Sequence, residues 1–283
     1  MQGRPHWSYS SISQYLRCPL QFYFQRVLGL PVKAASSSLI LGGAVHEALA
    51  CYHRQLQQHE ATSSESVLEQ FHDAWHERES SEEITYRDGD NREDCIAQGV
   101  QLLEKYLTEP PPERIMAVEQ QFLVPIYNSQ GEYLENPLVA ITDLITTGEQ
   151  ENLVVKEFKT AGRAFSESEV QTSLQPTCYV HAVNEQYGKE ATVEYVVLVK
   201  TKTPKVQRLT TTRYADDFGR LGDLIQTIEK AIDVGIFYPI ENPMNCSTCS
   251  FRNQCRAWGS AGSKRSSLEP ATEAAEELAC SLS

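Results

Sequence analysis

The sequence predicts an α/β protein with a mixed central sheet flanked by helices. Three observations carry that expectation. Between residues 115 and 160 the chain reads as three short β-rich runs separated by turn signals around Gly131 and Gly148. A helical run over 166–188 then leads to a fourth, strongly β-branched run, "TVEYVVLVK" at 192–200. Strands joined by turns run antiparallel, while the step from 153–160 through a helix to 192–200 is long enough for a parallel crossover.

In chain order, "SYSSISQYLRCPLQFYFQRVLGL" (8–30) predicts one or two short helices opened by N-capping serines. "LILGGAVHEALACYHRQLQQ" (39–58) is a helix whose stripe is Val45, Leu49, Tyr52 and Leu56. Residues 60–106 read as acidic helices, ended by Pro110–Pro112. The strands are 115–127, 137–147, 153–160 and 192–200, with 206–214 pairing the last. Helix 166–188 has Pro176 at a position where a first turn can restart. "ADDFGRLGDLIQTIEKAIDVG" is a capped amphipathic helix, followed by the cysteine-rich "CSTCSFRNQC". The expected organisation is one domain over 8–258. It has an acidic helical insertion (60–110), a sheet core (115–214) and a cysteine cluster (246–255); a disordered tail follows over 259–283.

The composition is that of a protein with a real core, 41% hydrophobic and 22% charged. No run approaches the roughly 18 apolar residues of a membrane span, and the first residues lack a secretory pattern, so a cytoplasmic location is expected. The net charge of −13 argues at first against a nucleic-acid partner. Its distribution softens that: residues 60–94 carry 12 acidic and 3 basic side chains, while 1–55 and 200–265 are net basic.

The strand "LVVKEFKT" (153–160) starts apolar and ends with Glu157 and Lys159 two residues apart, on one face. A tight turn near Gln150 gives facing residues numbers that sum to about 300, which sets Asp143 opposite Glu157. Like charges so placed destabilise a sheet, unless a bound cation reverses the sign. Carboxylate oxygens suit Mg2+ or Mn2+, and Lys159 could orient a water or stabilise charge on a phosphate. His46 lies off the apolar stripe of its helix, one turn after Gly42. Gln175 and Tyr179 share a helix face. Taken singly, such residues are more often structural than functional.

Eight cysteines in a reducing compartment favour metal binding or burial over disulfides. Cys246, Cys249 and Cys255 follow a C-x2-C-x5-C spacing, and Cys18 is the natural fourth ligand. The spacing leaves zinc and an iron–sulfur cluster both open. Cys51, Cys95 and Cys178 sit in helical patterns and read as buried small hydrophobes, and Cys280 lies in the tail.

As a set, "SYSSISQYLRCPLQFYF", "LGGAVHEAL", "AITDLI", "VVKEFKT", "QPTCY" and the C-x2-C-x5-C run resemble the RecB-like branch of the PD-(D/E)XK nucleases. Within it they resemble the iron–sulfur members, the AddB-type nuclease domains and the small CRISPR-associated exonucleases. The resemblance implies a restriction-endonuclease-like sheet and a Mg2+- or Mn2+-dependent exonuclease on DNA, with single-stranded ends as substrate. It implies work in repair, recombination or CRISPR adaptation, beside a helicase or a CRISPR integrase. It makes His46, Asp143 and Glu157 metal ligands, with the Phe158 carbonyl a further one. Lys159 positions or activates the attacking water, Gln175 and Tyr179 contact the DNA backbone and support the site, and Cys18, Cys246, Cys249 and Cys255 hold a 4Fe-4S cluster. Three features depart from the family pattern: Thr142 before the first acid, Glu-Phe-Lys where Asp-Tyr-Lys is commoner, and Pro176, which could tilt Gln175. Arg17, Arg26, Lys200, Lys202, Lys205 and Arg208 are candidates for tracking the DNA backbone. The alternative is a non-catalytic iron–sulfur scaffold that binds DNA or a partner; the intact Asp143, Glu157 and Lys159 argue against it.

Overall fold

The computed structural model describes residues 6–260 apart from 33–34, 82, 87–88, 113 and 149–150. The chain opens with β1 (Trp7–Ser8), α1 (Tyr9–Arg17), α2 (Pro19–Phe22) and a π-helical turn (Tyr23–Val27). Next come β2 (Ala35–Ser36), α3 (Ser37–Gln57), α4 (Ser64–Ser81), β3 (Ile84–Thr85) and α5 (Arg92–Leu107). The strands β4 (Ile115–Val124), β5 (Leu138–Thr147) and β6 (Leu153–Ala161) lead to α6 (Glu167–Thr172) and α7 (Gln175–Tyr187). Then follow β7 (Ala191–Val199), β8 (Lys205–Thr212), α8 (Ala215–Asp233), α9 (Pro243–Ser247) and α10 (Arg252–Ser260).

Local chemistry sets these boundaries. Ser36 Oγ accepts from Leu39 N to start α3, and the Asn91 side chain accepts from Asp94 N to start α5. Ser166 and Glu169 close a reciprocal capping box on α6. The helical run expected over 166–188, with a restart at Pro176, is two helices: the chain is extended at Ser173, and α7 begins at Gln175 with Pro176 in its first turn. Gly188, at φ +61°, ends α7. Of the expected tail, Gly259 and Ser260 continue α10; residues 261–283, with Cys280, lie outside the described residues.

The sheet is mixed, as expected. β4–β5, β5–β6 and β7–β8 are antiparallel, and β6–β7 is parallel across the α6–α7 crossover. The two-residue strands were not foreseen: β1 pairs parallel with β5, and β2 with β3. β4 covers one edge of β5 from Leu138 to Thr146, so β1 (at Leu138–Val139) and β6 (at Leu144–Thr147) must share the other edge. Between them the edge of β5 opens into a fork.

The described residues gather into two compact units, one from within 6–9 and 35–227, the other from within 10–32 and 228–260. In the first, Leu144, Phe158, Val196 and Leu198 on one sheet face bury against Leu41, Leu49, Phe71 and Trp75 of α3 and α4 and Leu102 of α5. Each such side chain contributes roughly 1.5–3 kcal/mol by leaving water. α7 packs on β4, β5 and β7, and the β7 residue Tyr195 points its hydroxyl toward Gln175 of α7, so the odd-numbered residues of β6 and β7 face α7. The second unit has a small core of Leu20, Phe24 and Phe251 with Tyr23, Phe237 and Trp258. There the Tyr15 hydroxyl donates to Ile236 O at 2.8 Å, and the Asn245 amide to Arg17 O at 2.9 Å. Cys95 and Cys178 are buried as expected, whereas Cys51 is half-buried.

Candidate active site

The β5–β6 ladder runs from Thr147↔Leu153 to Leu144↔Lys156, the register expected from a turn near Gln150. It stops one step before Asp143 and Glu157. There the strands part, and the Phe158 N–H donates to Asp143 Oδ2 at 2.8 Å in place of a ladder bond. The two acids therefore stand at the mouth of the fork. α3 brings His46, whose Nδ1 lies 3.4 Å from Asp143 Oδ1. β6 brings Lys159, whose Nζ lies 2.7 Å from Glu157 Oε1. From α7, Gln175 Nε2 lies 2.8 Å from the same Glu157 oxygen and 2.7 Å from the Tyr179 hydroxyl. Pro176 has not turned Gln175 away.

Glu157 is 3% exposed, and its Oε2 is buried with no hydrogen-bond partner. An orphaned carboxylate oxygen in a native interior needs an explanation. Burial, then the charge of Asp143, pushes the Glu157 carboxyl above its ordinary range. Burial pushes Asp143 the same way, but the His46 hydrogen bond and charge outweigh it and hold that carboxyl low. Burial lowers the His46 pKa, yet its bond to Asp143 carries it above the ordinary value. Burial also acts against the Lys159 ammonium, and Glu157 more than compensates. Two neighbouring carboxyls pushed in opposite directions are the pattern of a functional pair.

No group of three or more His, Cys, Asp or Glu side chains among the described residues is arranged to hold a metal ion as it stands. The fit to a hard dication is chemical: two carboxyls, one with a stranded buried oxygen, and an imidazole at one fork.

A cleft of about 680 Å3 opens beside the fork, lined among others by His46, Lys159, Glu47, Arg54, Arg78 and Glu119. The last four were missed from the sequence. Glu119 sits in β4 between Val118 and Gln120, whose partners Leu144 and Thr142 flank Asp143, and it has φ +50°. It ion-pairs with Arg54. Its one signal was a carboxylate inside the otherwise β-like "IMAVEQQFLV".

Cys18, Cys246, Cys249 and Cys255 all line one cavity of about 160 Å3 in the second unit. Burial, then Glu241 and then the other three thiols, raises the pKa of Cys255. Of the DNA-tracking candidates, Arg208 is engaged with Glu194 and Glu109, and Arg26 with Gln14 and Ser10. Lys200 lines a cavity with Ser37 and Thr160. Arg17, Lys202 and Lys205 are exposed.

The family model of the PD-(D/E)XK nuclease superfamily matches residues 6–256. The crystal structure of a candidate exonuclease from Eubacterium rectale is similar at 13% identity, covering 89% of this chain and 87% of that one, with a TM-score of 0.53. At that identity the likeness is one of fold. A second solved structure, SSO0001, has 11% identity, covers 84% of this chain and 94% of that one, and has a TM-score of 0.36, too low for a shared fold to follow. A search of curated proteins returns no match.

Proposed function

The chain belongs to the PD-(D/E)XK nuclease superfamily, and from that premise we propose that it is a Mg2+- or Mn2+-dependent exonuclease of the RecB-like branch, acting on single-stranded DNA ends. The observation that carries this reading is the buried, unpartnered Glu157 Oε2 beside Asp143 at the fork. A scaffold has no reason to keep so costly an arrangement.

Asp143, Glu157 and His46 would hold the metal, with the Phe158 carbonyl as a further ligand. The metal, when bound, supplies Lewis acidity to a phosphate oxygen and lowers the pKa of a water. Lys159, kept charged by Glu157, presents an ammonium toward a phosphate in the cleft. Gln175 steadies Glu157 through Oε1 and is itself bonded to Tyr179, while Oε2 is left without a partner.

Cys18, Cys246, Cys249 and Cys255 would hold a 4Fe-4S cluster that staples the chain ends; the four line one cavity, and among the described residues they are not arranged to hold a metal as they stand. Brown protein whose visible absorption is lost in Cys249→Ser supports the cluster, and colourless protein with one equivalent of zinc supports a zinc staple. A place in repair, recombination or CRISPR adaptation, beside a helicase or integrase, belongs to the same reading and is tested by co-purification.

The activity test is degradation of end-labelled single strands with Mn2+. The wild type should digest them, Asp143→Ala should fall to background, and Lys159→Ala should lose about 100-fold or more in kcat. Equal background for wild type and Asp143→Ala would favour the non-catalytic scaffold.

A further inference from the structure

The Arg78 guanidinium lies against the bare backbone of α3 at Gly43, where a Cβ would stand 2.9 Å from Arg78 Cζ and 3.0 Å from Arg78 Nε. Arg78 comes from α4, inside the acidic helical segment, and crosses α3 one turn before His46. Its Nε is buried without a hydrogen-bond partner, and its Nη2 reaches Glu47 Oε2 at 3.1 Å. Arg78 and Glu47 line the cleft that also holds His46 and Lys159. Both are about a third exposed, so the pair is worth too little to offset a stranded buried donor. Close passage over Gly43 and an unsatisfied nitrogen accompany a planar, permanently charged group at the cleft wall.

We propose that Arg78 binds a backbone phosphate of the nucleic-acid strand in this cleft, and that Glu47 holds the guanidinium in place until a phosphate displaces it. This deepens the nuclease reading and rests on it. The fork of an arginine matches phosphate oxygens two at a time. The chain as a whole is strongly acidic, so a polyanion needs local cations, and the cleft supplies Arg54, Arg78 and Lys159, of which Arg54 is paired with Glu119 and Arg78 with Glu47. The acidic helical segment thereby has a function: it delivers Arg78. Glu47 also gives the site a sign that an ordinary ion pair lacks. A competitor removed should strengthen phosphate binding, whereas a structural partner removed should weaken it.

The test is binding of a fluorescein-labelled single-stranded oligonucleotide, by anisotropy over a range of salt, in an Asp143→Ala parent that does not cleave. Arg78→Met should weaken binding about tenfold and reduce the slope of log K against log salt by about 0.7, one phosphate's worth. Arg78→Lys should recover part of both, and Glu47→Gln should tighten binding. Affinity and slope unchanged in Arg78→Met, or weaker binding in Glu47→Gln, would overturn the proposal. If Arg78→Met does not fold, by circular dichroism, Glu47→Gln decides alone. A parent that binds with Arg78 indifferent removes only this inference; a parent that does not bind, with a wild type that does not cleave, removes the nuclease reading and this with it.

Discussion

Burial acts on Glu157 and His53 in opposite senses, because it disfavours whichever form is charged. It raises the Glu157 carboxyl and lowers His53 to about 4. His53 is 0% exposed, stacks on Phe158 and shares a 2.9 Å hydrogen bond with the Tyr106 hydroxyl. Its folded pKa lies below the unfolded value, so between about pH 6.5 and 4 the unfolded chain binds the extra proton. Stability contributed by neutral His53 is therefore full above that window and falls through it on acidification, by about 3 kcal/mol in total. Urea midpoints should drop from pH 7 to pH 4.5, and His53→Met should flatten that drop; an equal slope in both would remove the assignment. At this scale Asp143, Glu157 and Lys159 were legible, because an alternating strand and a short turn fix which side chains share a face. Arg78 and Glu119 were not, since nothing local marks a residue whose neighbours come from another helix or strand.

Helix α3 shows how one element serves both core and site: Val45 and Leu49 face the core while His46 and Arg54 face the cleft. Gly42 lets it approach β6, where a Cβ would lie 3.3 Å from Thr160 Oγ1. Gly222 of α8 is pressed harder: a Cβ would lie 2.1 Å from the Tyr127 carbonyl oxygen. Alanine gains about 1 kcal/mol of helix propensity there but must displace backbone. The expected net loss for Gly222→Ala is about 2 kcal/mol, seen as a Tm several degrees lower; an unchanged or higher Tm would contradict the close contact. The long strands and helices could be read from periodicity within a few residues. β1, β2 and β3 could not, because two residues carry no period. The register of β6 was legible from its turn, but the fork depends on β1 taking part of the edge of β5, which no local pattern announces.

Across the whole molecule, residues 18 and 246–255 are far apart in sequence yet line one cavity, in the second unit. The spacing of three cysteines was readable, and Cys18 was the expected fourth ligand of the metal proposed there. A metal closing so long a loop stabilises mainly by restricting the unfolded chain. Cys18→Ser should therefore speed tryptic cleavage at Arg17 and Arg26; cleavage as slow as in wild type would argue against the staple. The net charge of −13 was misleading at this scale, since a whole-chain sum hides that folding gathers Arg54, Arg78 and Lys159 in one cleft, beside Glu47 and Glu119. The fork itself needs β4, β5, β6, α3 and α7 together, and its central claim is that Asp143 and Glu157 share one divalent ion. Calorimetric titration with Mn2+ tests it without any turnover. Wild type should take up Mn2+ at a site that Asp143→Ala and Glu157→Gln each lose while His53→Met keeps it; Mn2+ bound equally by all four proteins would contradict it.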